Sequence, residues 1–181
     1  MAMIQPLLKD DALRQQMIET TVEDGFAVWW LGQSGFLLKT PVGVVLFDPY
    51  LSEALTEKYA GTDKPHVRMT ERAIRPEQLD FIDVVTSTHN HTDHLDAATL
   101  NPLRRVKDDL ALVIPEANRD FVADRLDCDA AWPVGLDAGG QRPVGGFTFH
   151  GIPAAHNQSE RDARGRCTYL GYVVRFLVGG R

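Results

Sequence analysis

A chain of 181 residues, 44% apolar and 24% charged, has the composition of an ordinary globular protein and the length for one hydrophobic core. Its formal charge of −6, with no long run of Lys and Arg, argues against nucleic acid or an anionic membrane as partner. No segment approaches the roughly 20 apolar residues that span a bilayer, and residues 1–9 lack the pattern of a secretory leader, so the expectation is a cytoplasmic protein.

In chain order, Asp10 or Asp11 is placed to cap a helix with Leu13, Met17 and Ile18 on one face. Residues 26–38 are rich in aromatic and branched side chains broken by Gly32 and Gly35, which predicts one or two strands with a bulge or tight bend. Pro41-Val42-Gly43 is a turn and residues 44–47 a buried strand, together a hairpin. Residues 51–76 are polar, irregular and longer than most connections. Residues 81–87 form a short apolar strand. Asp96 can cap a short turn, and Pro102 favours a helix that begins with Asn101 as its cap. A strand follows at 110–114. Pro115 then opens a helix with Phe121, Val122 and Leu126 on one face, and strands at 147–152 and 169–176 flank a polar loop, 156–166. Cys128 and Cys167 stand apart and read as free thiols. Without repeats or low-complexity linkers, residues 1–181 read as one α+β domain, a mixed sheet with covering helices.

The segment Thr88-His89-Asn90-His91-Thr92-Asp93-His94-Leu95-Asp96 begins where a strand ends and packs three of the six histidines and an aspartate into six positions. Imidazole and carboxylate are the usual ligands of zinc and similar divalent ions. In an extended segment His89 and His91 point to the same side and can grip one metal together. Asp93 and His94 follow as the chain turns, aimed differently, and suit a second ion. A further ligand for the first must come from elsewhere, and His156, after the small residues Ala154 and Ala155, leads the candidates. His150, inside a strand, and His66, in the long loop, are not expected as ligands, although His66 is placed to meet a substrate. Two such ions would polarise a carbonyl or phosphoryl oxygen and acidify a shared water, the equipment for hydrolysis; Asp93 is also the candidate to orient that water. Asp48, followed by Pro49, is either the acceptor that holds a ligand imidazole N–H or a simple Asp-Pro turn. Gly32-Gln33-Ser34-Gly35-Phe36 approaches a nucleophile elbow but has Phe where the motif needs glycine.

His89 to His94 match His-x-His-x-Asp-His, and the sequence resembles the metallo-β-lactamase superfamily. Residues 25–32 (GFAVWWLG) and 47–52 (FDPYLS) are similar to its branch related to L-ascorbate-6-phosphate lactonase. The resemblance implies an αββα sandwich with a two-metal centre of zinc or manganese, His89, His91 and His156 holding the first ion and Asp93 and His94 serving the second. That pattern continues with a Gly-Asp-Ser or Gly-Asp-Thr strand end and one more histidine, while this sequence runs to a predicted hairpin turn at 178–181. The expectation is therefore the N-terminal part of a longer metallo-hydrolase, with an apolar sheet face and an edge strand left for a homo-oligomer or a C-terminal segment to cover. The implied function is metal-dependent hydrolysis of a small-molecule substrate, a lactone, ester or phosphorylated metabolite. The alternative is an inactive metal-binding remnant of such an enzyme. A nuclease of the same superfamily is disfavoured by the acidic charge.

Overall fold

The structure, a computed structural model, describes residues 3–179. Its strands form two facing sheets. The larger runs β1-β2-β3-β4-β5-β6 and consists of β1 (Ala27–Trp30), β2 (Phe36–Thr40), β3 (Gly43–Phe47), β4 (Val84–Thr86), β5 (Ala111–Pro115) and β6 (Val134–Leu136). The first three strands are antiparallel, and β3 to β6 are parallel, so the sheet is mixed as the sequence predicts. The smaller sheet is an antiparallel trio, β7 (Gln141–Val144), β8 (Phe147–Pro153) and β9 (Leu170–Arg175).

Residues 26–38 resolve into two strands joined by a tight turn, in which Leu31 N donates to Gly35 O at 2.8 Å. Gly32 takes φ +91° there, a left-handed conformation that costs glycine little. Parallel strands need long crossovers, and helices supply them: α3 (Ala97–Val106) between β4 and β5, and α4 (Arg119–Leu126) between β5 and β6. The other helices are α1 (Asp10–Glu19) and α2 (Ala54–Tyr59).

Alternation along the strands sends side chains to two cores. Leu46, Val85, Leu112 and Ile114 pack against Leu13 and Met17 of α1, Leu100 and Leu103 of α3, and Val122 and Leu126 of α4. On the opposite face Val45, Val84 and Val113 meet Phe147, Phe149 and Leu170 of the smaller sheet. Each fully buried aliphatic or aromatic side chain contributes about 1.5–3 kcal/mol. The layers are thus helices, six strands, three strands. The smaller sheet does not reach the end of the larger one. Across the register partners Val28, Leu38 and Val45, the last is wholly buried, Leu38 is half-buried and Val28 is 48% exposed.

Several local expectations give way. Neither Asp10 nor Asp11 caps α1, whose N-cap is Lys9; both lie in its first turn, where negative charge suits the helix dipole. Ile18 is exposed, so the buried face of α1 is Leu13 and Met17. Helix α3 starts at Ala97, capped by Asp96, which accepts from Ala98 N at 3.2 Å, and not at Asn101. Pro102 therefore sits in its interior. The roughly 3 kcal/mol such a proline costs is offset by the Asp96 cap and the burial of Leu100, Pro102 and Leu103. Pro115 ends β5; a 3-10 turn at Glu116–Asn118 precedes α4, and Phe121 lies exposed under the Arg125 guanidinium, 4.5 Å from it. The long connection 51–76 contains α2 and is pinned by buried Arg68, which donates to Thr70 O at 2.9 Å and pairs with Glu53 at 3.3 Å. Within the predicted turn at 178–181, Gly180 and Arg181 lie outside the described residues.

Candidate metal centre

Strands β3 and β4 are parallel neighbours, so their C-terminal ends lie side by side and Asp48 comes to rest beside Thr86 and Thr88. Asp48 is 4% exposed and its carboxylate is heavily committed. Oδ1 accepts from Thr86 Oγ1 at 2.7 Å and from Thr88 N at 3.1 Å. Oδ2 accepts from the Thr88 hydroxyl and, at 2.7 Å, from His94 Nδ1. This is no simple Asp-Pro turn.

These bonds decide which nitrogens are available. A carboxylate only accepts, so His94 Nδ1 carries the proton, and in the neutral ring Nε2 holds the lone pair. The single hydrogen of the Thr88 hydroxyl is given to Asp48, so Thr88 Oγ1 acts as acceptor towards His89 Nδ1, 3.1 Å away. His89 Nδ1 is then protonated too, and its Nε2 is free. Behind each imidazole stands an acceptor that fixes its tautomer and orientation.

Backbone contacts hold the segment in shape. His94 N and Leu95 N donate to His91 O at 3.0 and 2.8 Å, turning the chain after the second histidine. Ser87 Oγ donates to His89 O at 2.6 Å, and Arg125 of α4 donates to Asn90 O at 2.6 Å. From the smaller sheet, Leu170 N donates to Thr88 O at 3.0 Å. Ser34 Oγ lies 3.0 Å from Asp48 O and 2.9 Å from Asp93 O, a bracing role far from that of a nucleophile.

The five residues expected as ligands are brought near one another in pairs. Ring centroids of His89 and His94 are 4.1 Å apart, those of His89 and His91 4.7 Å, and those of His91 and His156 5.0 Å. Asp93 Oδ2 is 3.5 Å from His94 Nε2, about the spacing of two atoms bonded at about 2.0–2.2 Å to one tetrahedral ion. Among the described residues, the group of three whose donor atoms all lie within 4.8 Å of one another is Asp48, His89 and His94, and the oxygens of Asp48 already accept from hydroxyl, amide and imidazole donors. His66 is elsewhere, beside the Tyr50 ring and 3.4 Å from Thr56 Oγ1, and His150 sits within β8.

Electrostatics favour neutral, ligating imidazole at His89, whose pKa is pushed down to about 4, chiefly by burial and further by His94 and His91. For His94 burial opposes the charged form, but the hydrogen bond to Asp48 and the charges of Asp48 and Asp93 outweigh it and raise the pKa. A cluster of imidazoles with a flanking carboxylate and fixed tautomers is a donor set that fits a divalent cation.

Residues 44–181 match the family described as Beta-lactamase superfamily domain. The chain belongs to the metallo-β-lactamase superfamily. Over 127 residues it is 29% identical to proteins named "Probable L-ascorbate-6-phosphate lactonase UlaG" from Escherichia coli O127:H6 and Shigella boydii serotype 18, an alignment covering 60% of this chain. The chain spans 36% of the length of these curated relatives. Among solved structures it resembles a possible metal-dependent hydrolase from Veillonella parvula, with a TM-score of 0.60 and 15% identity over 86% of this chain and 59% of that one. It also resembles CmlA, a diiron β-hydroxylase from Streptomyces venezuelae, with a TM-score of 0.56 and 21% identity over 87% of this chain and 28% of that one. At these identities the structural likeness shows the fold.

Sequence reasoning missed Thr86, Thr88, Arg125 and Tyr169 around the histidines. Thr88 directly precedes the motif and carries a signal, a hydroxyl next to a candidate ligand imidazole. Tyr169, at the head of a predicted strand, reads as an ordinary core aromatic.

Proposed function

We propose that this chain is a metal-dependent hydrolase domain, in which His89, His91 and His156 hold one divalent ion, zinc or manganese, and Asp93 and His94 hold a second. The observation that carries this reading is the position of His156, which comes from beyond β8 to within 5.0 Å of the His91 ring. Divalent ions bound there supply Lewis acidity, which polarises a carbonyl or phosphoryl oxygen and acidifies water at neutral pH. Asp48 and Thr88 hold His94 and His89 in the tautomers that bind. Asp93, whose side chain is 43% exposed, is the group able to accept a proton from, and orient, an attacking water. The substrate we favour is a small lactone, ester or phosphorylated metabolite, on the strength of the lactonase relatives at 29% identity. A reducing, cytoplasmic setting suits the free cysteines Cys128 and Cys167.

The test is metal content by mass spectrometry after loading with zinc or manganese, together with turnover of a panel of lactones, phosphate esters and thioesters. Two ions per chain, with turnover abolished in His91→Ala, are expected. A chain that binds no metal, or hydrolyses a substrate equally well in His91→Ala, overturns the reading.

A further inference from the structure

The smaller sheet delivers one more side chain to the histidines. Tyr169 stacks its ring on His89, with centroids 4.9 Å apart and planes at 28°, and is buried there. The placement is built. Leu170 N is bonded to Thr88 O at 3.0 Å, and Tyr169 O accepts from Ala154 N at 3.1 Å, two residues before His156. Tyr172 Oη adds a third tie to the end of β4, donating to Ser87 O at 3.0 Å. Tyr169 is thereby fixed between the two stretches of chain that carry the histidines, with its ring centroid 6.0 Å from that of His91 and 6.3 Å from that of His156.

Its hydroxyl has one polar neighbour within reach among the described residues, His91 Nε2 at 3.5 Å. That is long for an O–H···N hydrogen bond. It equals the 3.5 Å between Asp93 Oδ2 and His94 Nε2, and matches the separation of two donors at about 2.0–2.2 Å around a common tetrahedral ion. The His94 side of the centre has an oxygen donor, Asp93. The His91 and His156 side has none among the ligands assigned above, and a phenol oxygen is a hard donor of the kind zinc and manganese accept.

We propose that Tyr169 contributes its phenol oxygen to the cation held by His91 and His156, the hydroxyl proton leaving to solvent as the oxygen–metal bond forms. This rests on the metal-centre reading above and goes beyond its ligand set. In the geometry described, one side chain both braces the His89 ring and supplies an oxygen donor beside His91.

Metal binding by the purified chain tests it without recourse to activity. Cobalt(II) titration gives affinity, and iron(III) loading gives a visible oxygen-to-iron charge-transfer band when a tyrosine oxygen is bound, which imidazole and carboxylate ligands do not produce. The wild type and Tyr172→Phe are expected to show the band. Tyr169→Phe, which keeps the stacking ring, is expected to lose it and to bind cobalt at least about tenfold more weakly, the scale of effect seen when groups around a metal are removed. Should Tyr169→Phe not fold, the wild-type spectrum decides, presence of the band supporting the assignment and its absence overturning it. A Tyr169→Phe protein with unchanged band and affinity overturns the Tyr169 assignment alone, whereas a wild type that takes up neither metal overturns the centre itself.

Discussion

Asp48 and His94 are 46 positions apart in the chain and meet at 2.7 Å, carboxylate Oδ2 to imidazole Nδ1. The contact exists because β3 and β4 are parallel neighbours, which brings the residue after one strand to the loop after the other. Open sheets of this kind habitually place ligands at the C-terminal ends of their parallel strands. Here the larger sheet supplies Asp48 and the motif, and the smaller one supplies His156 and Tyr169.

Replacing Asp48 with Asn keeps the shape and removes the charge and one acceptor. The amide would direct an NH2 group at donors that now meet an oxygen, freeing either His94 or Thr88 from its tautomer-setting bond. Metal affinity is expected to drop about 10–100-fold. Cobalt titration of Asp48→Asn checks this, and an unaltered dissociation constant would detach Asp48 from the centre.

The two histidines outside the motif that lie in loops should behave differently. His156→Ala removes a ring 5.0 Å from that of His91, and should lower the number of ions bound per chain or weaken one of them beyond detection. His66→Ala removes a ring whose neighbours are Tyr50 and Thr56, and should leave the metal count unchanged. Metal analysis of the two variants in parallel decides, and a loss in His66→Ala equal to that in His156→Ala would contradict the arrangement.

How much of this could be read in the residues depends on distance along the chain. The candidate ligands at 89–94 are contiguous and announce themselves, and His156 joins them as a candidate because so few other donors remain. Asp48 was ambiguous, since its role appears only once two strands are known to be neighbours. Tyr169 was hidden for a related reason: a tyrosine opening a strand looks like core until the sheet that carries it is folded onto the histidines. In the fold, the apolar strands and the mixed sheet were legible. The three residues of β6 contain Gly135, and β7 contains Pro143, so neither carries a strand's usual composition. Pro102 misled because a local rule about proline was outweighed by the Asp96 cap and the packing of α3.

Gly135 is itself informative, because a Cβ built there would stand 1.6 Å from Glu116 Oε2. Glu116 accepts from Arg119 Nε at 2.9 Å and Arg119 Nη2 at 2.7 Å, and also pairs with Arg166 at 3.4 Å, joining the end of β5 to the loop before β9. The hydrogen bond from Arg119, helped by the charges of Arg119 and Arg166, holds the Glu116 carboxyl below its usual 4.5 despite partial burial. A depressed folded-state pKa contributes stability above pH 4.5 that is lost as pH falls through the folded value. Glu116→Gln should therefore be less stable than the wild type at neutral pH, by about 1 kcal/mol or less for so accessible a pair, and the difference should shrink on acidification below pH 4.5. Urea midpoints for both proteins across that range test it, and a gap that widens in acid would reverse the assigned sign.

The smaller sheet is held on the larger by its aromatic residues, and that attachment positions His156 and Tyr169. Phe149, wholly buried against Val45, Val84 and Val113, should cost about 3–5 kcal/mol when cut to Ala. Val28, on the same face of the larger sheet but left 48% exposed, should by contrast change stability by only about 0.5 kcal/mol when cut to Ala. Denaturant unfolding of the two variants measures both. Metal affinity should fall with Phe149→Ala and stay level with Val28→Ala, because only the first loosens the strands that bring His156 to His91. A cost for Val28→Ala approaching that of Phe149→Ala would mean that another surface covers this face in solution, and the difference in exposure between the two positions would then no longer describe the protein as it exists there.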